Sequence, residues 1–358
     1  MELLRIVAMI AIIAHHYVVN SGLLDLIGKA PSLTLNSTFL MLFGSLGSTA
    51  TNCFLLIMGY FMCTSKMTVR KFLKLFLEVE FYKIVINLLF LFSGYQAFSY
   101  KDLFARFTPF YGIGKGFVPS IVPFFLFIPF LNALIQAMDK KMHLRLIGLC
   151  VFIFTILPSF IFYPVFIAAE VHFGDLGWFS AIYLIAAYMR LYPEEWFERK
   201  NVWRTSTAVS LVLLFASAIV MALVAKEVGI KSAWYPYHFI AGRNKILALT
   251  TSVCVFMFFK KMGAFCNESI NKIAASVFGV LLIHANSSTM RRWLWKDILN
   301  NAGYLKADFS MLVFHALWSV AAVYIVCTLL DMLRIKFIEK PFFRWYDKRM
   351  AGANDRCK

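Results

Sequence analysis

The amino-acid sequence predicts an all-α integral membrane protein, a single polytopic bundle of about ten transmembrane helices with both termini in the cytoplasm. Hydrophobic residues make up 61% of the 358-residue chain and charged residues only 15%, and the mean hydropathy is +0.72. Soluble domains average about 45–50% apolar and about 25% charged residues, so the composition excludes a soluble globular protein. The charged residues also stand between long apolar segments rather than in a charged domain.

Ten apolar segments are long enough to cross a bilayer, whose hydrocarbon core takes about twenty helical residues. They lie at approximately 4–24, 38–63, 72–94, 118–138, 145–165, 174–192, 205–225, 245–260, 271–288 and 310–333. The fourth segment and its approach contain Pro109, Pro119, Pro123 and Pro129. Because proline removes a backbone donor, we expect that span to begin as a broken or re-entrant element.

The distribution of basic residues predicts the orientation. With the N terminus in the cytoplasm, inner segments hold 23 of the 36 Lys and Arg residues and outer segments hold 12. Cytoplasmic loops carry such an excess, and an even number of spans returns the C terminus to the same side. We therefore expect a transmembrane domain over residues 1–335 and a basic cytoplasmic tail over residues 336–358. The net charge of +17 then reflects orientation rather than nucleic-acid binding.

Arg5 and His16 lie in one apolar segment, where ionisable residues are costly and therefore indicate function. Eleven helical residues turn the chain through roughly 1100°, about 20° past three full turns, so both side chains share one face. They stand roughly 16 Å apart along the axis, Arg5 near the cytoplasmic edge and His16 near the middle of the bilayer. His15 points about 80° away from that face. A cation followed by a deeper titratable base suits the movement of an activated group into a membrane.

Five segments along the chain contain recognisable motifs in a fixed order. They are LLRIVAMIAIIAHHY with its R-x10-H spacing, TNCFLLIMGYFM, PFFLFIPFLNALI, LGWFSAIYLIAAYMRLY, and INKIAASVFGVLLIHAN followed by RRWLW. In these segments the chain resembles the membrane-bound acyltransferase 3 family. Met58 replaces the serine of the family pattern N-x-F-F-x-x-S-G-Y-F, and the aromatic pair that usually precedes the third segment is absent.

The resemblance implies a ten-helix O-acyltransferase. Such an enzyme moves an acyl group, usually acetyl, from acyl-CoA on the cytoplasmic side to a hydroxyl of a surface polysaccharide or lipid-linked glycan. Acetyl-CoA is therefore the expected donor, and the glycan acceptor and membrane lipids are the expected partners. We expect no metal and no nucleic acid. The expected location is the bacterial cytoplasmic (inner) membrane.

The paired Arg and His of the family correspond to Arg5 and His16. Arg5 can pair with the phosphate groups of coenzyme A. His16 suits either a general base for a hydroxyl or a transient acyl carrier. The alternatives are an ordinary membrane-edge anchor for Arg5 and a hydrogen-bonded structural histidine for His16. His15 is the rival base.

Three further residues are candidates for binding. Arg70, in the basic loop SKMTVRKFLKLFL, is predicted to contact coenzyme A phosphates, although an ordinary cytoplasmic loop explains it as well. Glu78 matches an acidic family position and could orient a histidine or polarise the acceptor hydroxyl, whereas the spacing of Glu80 and Lys83 predicts an ion pair. His284 matches the family element L-I-H and is either an acceptor contact or a structural histidine.

A transporter or flippase for a glycan or small solute is the second function class. Transporters often contain inverted repeats and paired broken helices. Here the one Pro-rich segment has no counterpart in the other half of the chain. The sequence contains no Walker loop, G-x-S-x-G elbow, zinc-ligand spacing or Rossmann fingerprint. Its seven cysteines include no C-x-x-C pair, so we expect reduced packing residues.

Overall fold

The computed structural model describes residues 1–358 except 101–103, 105, 106, 109–116, 161–173, 264–266 and 355–358, with the backbone alone at 352–354. These residues form helices and connecting loops without a β-strand. The α-helices are α1 (Glu2–Val19), α2 (Leu23–Lys29), α3 (Leu35–Phe43), α4 (Gly47–Met62), α5 (Val69–Phe92), α6 (Phe117–Ala137), α7 (Lys140–Val151), α8 (Leu157–Phe160), α9 (Gly174–Leu191), α10 (Lys200–Glu227), α11 (Ile246–Lys261), α12 (Glu268–Ala275), α13 (Val277–His284), α14 (Ser288–Arg292), α15 (Phe309–Arg334) and α16 (Lys340–Asn354). Within the same residues, π-helical turns occupy Phe152–Ile156, Trp293–Ile298 and Ile335–Glu339.

Several of these helices are long and apolar enough to cross a membrane. Within the described ranges there are six: Glu2–Val19, Leu35–Met62, Phe117–Ala137, Lys140–Phe160, Lys200–Glu227 and Phe309–Ala351. A seventh is present if the bent pair formed by α12 to α14 counts as one span. The prediction of an all-α integral membrane protein is confirmed. Helices α5, α9 and α11 overlap three further predicted segments, and the total of ten spans and the orientation of the termini stay predictions.

The broken span lies at the ninth predicted segment. Helix α6 is continuous from Phe117 through Pro123 and Pro129, so the expected break is not seen there, and Pro109 lies outside the described residues. The ninth segment instead divides at Ser276 and then bends by 91° between Glu268–His284 and Ser288–Ile298. The Ser287 side chain accepts a hydrogen bond from the Met290 N–H, so it caps the new helix and stabilises the bend.

Helix α4 lies at the centre of the bundle, where it packs against α1, α9 and α11. Small residues allow this close approach, because a Cβ at Gly47 would lie 2.3 Å from the His15 ring. The fully buried Asn52 of α4 donates from Nδ2 to the Arg243 carbonyl at 2.7 Å. Its Oδ1 accepts from Nε1 of Trp178 at 3.1 Å. Both polar ends of this side chain are therefore satisfied by another helix or a loop, as a membrane interior requires.

One arginine connects α15 to α5 through buried ion pairs. Arg334 donates to Asp331 at 2.7 Å, to Glu339 at 2.8 Å and to Glu78 at 3.0 Å. The hydroxyl of Tyr82 donates to the same Asp331 oxygen at 2.8 Å. The three carboxylate side chains are at most 10% exposed. Because buried charges are costly unless paired, this guanidinium is what allows Glu78 and Asp331 to lie inside the bundle, whereas Glu339 also pairs with Lys74.

We expect Arg334→Met to lower the free energy of unfolding by about 3–5 kcal/mol, because it leaves buried carboxylates without their cation. Reversible unfolding of the purified protein in detergent measures the change. Arg70→Met is the matched control, since the Arg70–Asp347 pair is about half exposed at both partners, and it should leave the unfolding transition in place. An Arg334→Met protein as stable as the wild type would contradict the role of this cluster.

Candidate active site

An elongated cavity of about 690 Å³ runs between α1, α4, α5, α6 and the α12–α14 segment. Arg5 and His16 both line it, which is the arrangement that their shared helix face predicts. Lys71 and Lys83 of α5 also line it, and twelve helical residues separate them by about 18 Å. The cavity therefore extends along the helix axes over more than half of the thickness of a bilayer core.

One end of the cavity is cationic. Arg5, Lys71 and Lys74 line this end together with Glu2. Arg5 pairs with Glu2 at 3.1 Å, and Lys74 pairs with Glu339 at 2.8 Å. Lys71 donates to the Lys66 carbonyl at 2.9 Å and has no carboxylate partner among the described residues. Cations therefore exceed carboxylates here, and the end suits an anionic group such as a phosphate.

Farther along the cavity, His16 forms a hydrogen bond with His284. His16 Nδ1 lies 3.0 Å from His284 Nε2, and His284 Nδ1 lies 2.6 Å from the Val280 carbonyl oxygen. A carbonyl only accepts, so the proton of His284 is on Nδ1 and its Nε2 is the acceptor. His16 then donates from Nδ1, which leaves the lone pair of His16 Nε2 free. The network defines the tautomer of His16 and makes Nε2 its basic atom.

His284 itself lies behind His16 and does not line the cavity. Its side chain is fully buried, and the Trp295 ring packs edge-on against it with a centroid distance of 6.3 Å. The sequence predicted an acceptor contact or a structural histidine at this position. Burial and two hydrogen bonds agree with the structural histidine, and the acceptor contact stays a prediction. The structure adds that His284 orients His16, through a contact between residues 268 positions apart that no local motif can show.

His15, the rival base, turns its ring away from the cavity. Its Nδ1 donates to the Gly44 carbonyl at 2.7 Å, and its ring packs against Gly47. Because that carbonyl is a pure acceptor, the contact accounts for the Nδ1 proton. Of the two adjacent histidines, only His16 lines the cavity.

Glu78 and Arg70 have different surroundings from those that the sequence suggested. Glu78 lines the cavity, but its carboxylate pairs with Arg334 rather than with a histidine. Arg70 lies outside the cavity and forms a two-pronged contact with Asp347, at 2.9 and 3.2 Å. Lys71 and Lys74 share the cavity-facing side of α5 with Glu78, at helical spacings of three and four residues. That periodicity was the sequence signal that could have identified Lys71 and Lys74 as cavity residues. A contact of Arg70 with coenzyme A stays a prediction.

Comparison with known proteins identifies the family of this chain. Residues 1–332 match a family model described as an acyltransferase domain, Acyl_transf_3. The chain belongs to the acyltransferase 3 family. No curated protein and no solved structure matches it significantly. This acyltransferase is therefore an integral membrane enzyme by family and by its apolar helices, and family membership favours acyl transfer over the transport alternative.

A cation that sequence reasoning missed also lines the cavity of the acyltransferase. Arg291 follows the bend after α13, and the sequence showed it only as one of the basic residues of an outer loop. Without the bend, nothing in the sequence distinguishes it from its neighbour Arg292. The 91° change of direction is what brings Arg291 to the cavity wall.

We expect His284→Leu to lower the kcat of acyl transfer by about tenfold to a hundredfold, because His16 loses the acceptor that defines its tautomer. His284→Gln keeps a side-chain oxygen acceptor and should recover part of the loss. The control is His143→Leu, which removes another fully buried histidine, one that contacts the Leu184 carbonyl. Equal losses for His284→Leu and His143→Leu would show that His284 has only a packing role.

Proposed function

We propose that the protein is an acetyl-CoA-dependent O-acyltransferase of the bacterial cytoplasmic membrane, which acylates a hydroxyl of a surface polysaccharide or lipid-linked glycan. One observation carries the proposal. A single cavity has a cationic end and, farther along, His16, whose hydrogen bond to a second histidine leaves Nε2 as the nitrogen with a free lone pair. Transport of a solute needs no such base. Acyl transfer to a hydroxyl needs both an anion-binding end and a proton acceptor.

The cationic end supports coenzyme A as the source of the acyl group. Arg5, Lys71 and Lys74 can hold its phosphates by charge-assisted hydrogen bonds. Beyond them, apolar side chains line the cavity, among them Met9 and Ile12 of α1. A wall of this kind accepts the uncharged thioester arm. Arg5 and His16 are about 16 Å apart, so a donor held by its phosphates can extend its acyl group toward His16.

His16 is proposed to act as the general base for direct transfer. Its Nε2 takes the proton of the acceptor hydroxyl while the hydroxyl oxygen bonds to the thioester carbonyl carbon. The carbon–sulfur bond then breaks, and the imidazolium returns the proton to the departing thiolate. The products are an ester and a free thiol, and His16 is regenerated. Such proton transfer contributes about 10²–10⁴-fold to a rate. An acyl carrier would use the same Nε2 atom, with the acyl group bonded to it between two steps.

The first test compares the wild type with His16→Ala and His15→Ala. We expect His16→Ala to reduce acyl transfer by about 10²–10⁴-fold, because the base is lost. His15→Ala should retain most activity, since His15 does not line the cavity. Thiol release from acetyl-CoA by the purified protein and the acetyl-sized mass increment on surface glycans measure the reaction. Retention of radiolabelled acetyl on the protein without acceptor would identify an acyl carrier instead of a base.

Three results decide between the functions. Loss of both signals in His16→Ala alone, with normal amounts of protein in the membrane, supports the proposed reaction. Equal glycan profiles and equal thiol release in all three proteins would contradict it. A third pattern, in which His15→Ala alone loses activity, would make the rival histidine the base.

The adjacent residues Arg70 and Lys71 give a second test, of donor binding. We expect Lys71→Gln to raise the KM for acetyl-CoA by about tenfold while kcat changes less, because a charge-assisted hydrogen bond to phosphate is lost. Arg70→Gln removes the same charge one residue earlier, outside the cavity, and should leave this KM near that of the wild type. Steady-state kinetics of thiol release measure both. A raised KM for Arg70→Gln with an unchanged KM for Lys71→Gln would instead support the contact that the sequence predicted.

A further inference from the structure

Beyond the histidine pair, the cavity wall contains a second potential anion-binding group, Arg291. The chain leaves α13 at His284, turns through 91° and reaches Arg291 at the end of α14. The side chain is partly buried and lines the same cavity as His16. It follows His284, the hydrogen-bond partner of His16, by seven residues.

Arg291 lacks the carboxylate that other partly or fully buried arginines have. Its Nε donates to the Ser287 carbonyl at 3.2 Å, and no described residue forms an ion pair with it. By contrast, Arg243 pairs with Asp175, and Arg334 pairs with acidic side chains of its own region. Lys83 also lines the cavity, but it pairs with Glu80 at 2.6 Å. Charges withdrawn from water are normally compensated, so the geometry of Arg291 suits an anionic ligand.

We infer that Arg291 binds a permanently charged carboxylate or phosphate on the acceptor, so that the enzyme takes an anionic glycan or a phosphate-linked one. This inference rests on the proposed function. The donor phosphates are assigned to the end where Arg5, Lys71 and Lys74 lie. Arg291 follows His284, the hydrogen-bond partner of His16, so it belongs to the His16 region of the cavity, roughly 16 Å along α1 from Arg5. We therefore assign an anion at Arg291 to the acceptor that meets His16.

A permanent anion explains the arrangement better than the oxyanion of a transition state. An oxyanion exists only transiently and leaves the guanidinium uncompensated in the complex before reaction. In addition, His16 becomes positively charged when it takes the hydroxyl proton, and Arg291 then repels it. An anionic group bound to Arg291 offsets that repulsion throughout the reaction.

Ligand binding to the purified full-length protein in detergent tests the inference, with the midpoint of thermal unfolding as the readout. One pair of probes is methyl glucuronoside and methyl glucoside, which differ in the carboxylate. The other pair is geranyl diphosphate and geraniol, which differ in the diphosphate. The proteins are the wild type, Arg291→Gln, Arg291→Lys and the control Arg292→Gln. Arg292 is exposed and contacts the Tyr95 hydroxyl, so its variant removes one charge beside the cavity rather than inside it.

We expect at least one anionic probe to stabilise the wild type more than its neutral partner does. Arg291→Gln should weaken the apparent affinity for that probe about tenfold, and Arg292→Gln should not. Arg291→Lys should weaken it less, because the charge is kept while the planar guanidinium is lost. Preference for the glucuronoside identifies a sugar carboxylate, and preference for the diphosphate identifies a lipid-linked acceptor.

Two results would overturn the inference: neither anionic probe exceeds its neutral partner in the wild type, or Arg291→Gln and Arg292→Gln have the same effect. An unaltered affinity of Arg291→Gln for geranyl diphosphate would place that probe at the donor end. Titration with acetyl-CoA separates this question from the proposed function. Acetyl-CoA should stabilise wild type and Arg291→Gln equally, whereas an absence of any effect on the wild type counts against the donor assignment alone.

Discussion

The cost of placing a polar group inside a membrane determines how this bundle is built. Lipid offers no hydrogen bonds, so each buried polar atom requires a partner from the protein. Asn52 has Trp178 and the Arg243 carbonyl, and His16 has His284. Against this pattern, a cation that lines the cavity without a carboxylate is informative. Arg291 is such a residue within the described part of the chain, and we assign its anionic partner to the substrate.

The same constraint connects the buried charge cluster to the histidine pair. Asp331 of α15 lies so close to Gly279 of α13 that a Cβ there would be 2.1 Å from its Oδ1. Only glycine permits that approach, and Arg334 and Tyr82 in turn hold the Asp331 carboxylate in place. His284 follows Gly279 by five residues on the same short helix. The ion pairs of α15 therefore position α13, the helix that carries His284. They act on His16 only through that helix, because the hydrogen bond to His16 comes from His284.

Local periodicity made much of the site predictable, and tertiary contacts account for the rest. The helical repeat placed Arg5 and His16 on one face and separated His15 from them, and both predicted partners line the cavity. The repeat could not show that His284 meets His16, because the two belong to helices far apart in the sequence. The bend before Arg291 was equally hidden, since hydropathy reports how apolar a segment is and not where it changes direction. The basic loop and the family resemblance indicated Arg70, whereas the helix face decides that Lys71 lines the cavity.

The group that accepts the Nδ1 proton of His284 is a backbone carbonyl, and a neutral acceptor suits a fully buried position better than a carboxylate would. A carboxylate would define the same tautomer, but as a fully buried charge it would require its own cation. The Val280 carbonyl orients His284 as a neutral dipole, and His284 in turn orients His16, so this hydrogen-bonded chain contains no carboxylate that needs a cation. The cations that line the cavity without a carboxylate partner among the described residues, Lys71 and Arg291, lie outside this hydrogen-bonded pair. In the proposed reaction the two substrates bring their own anions to these cations, and the Nε2 atom of His16 stays free to accept a proton.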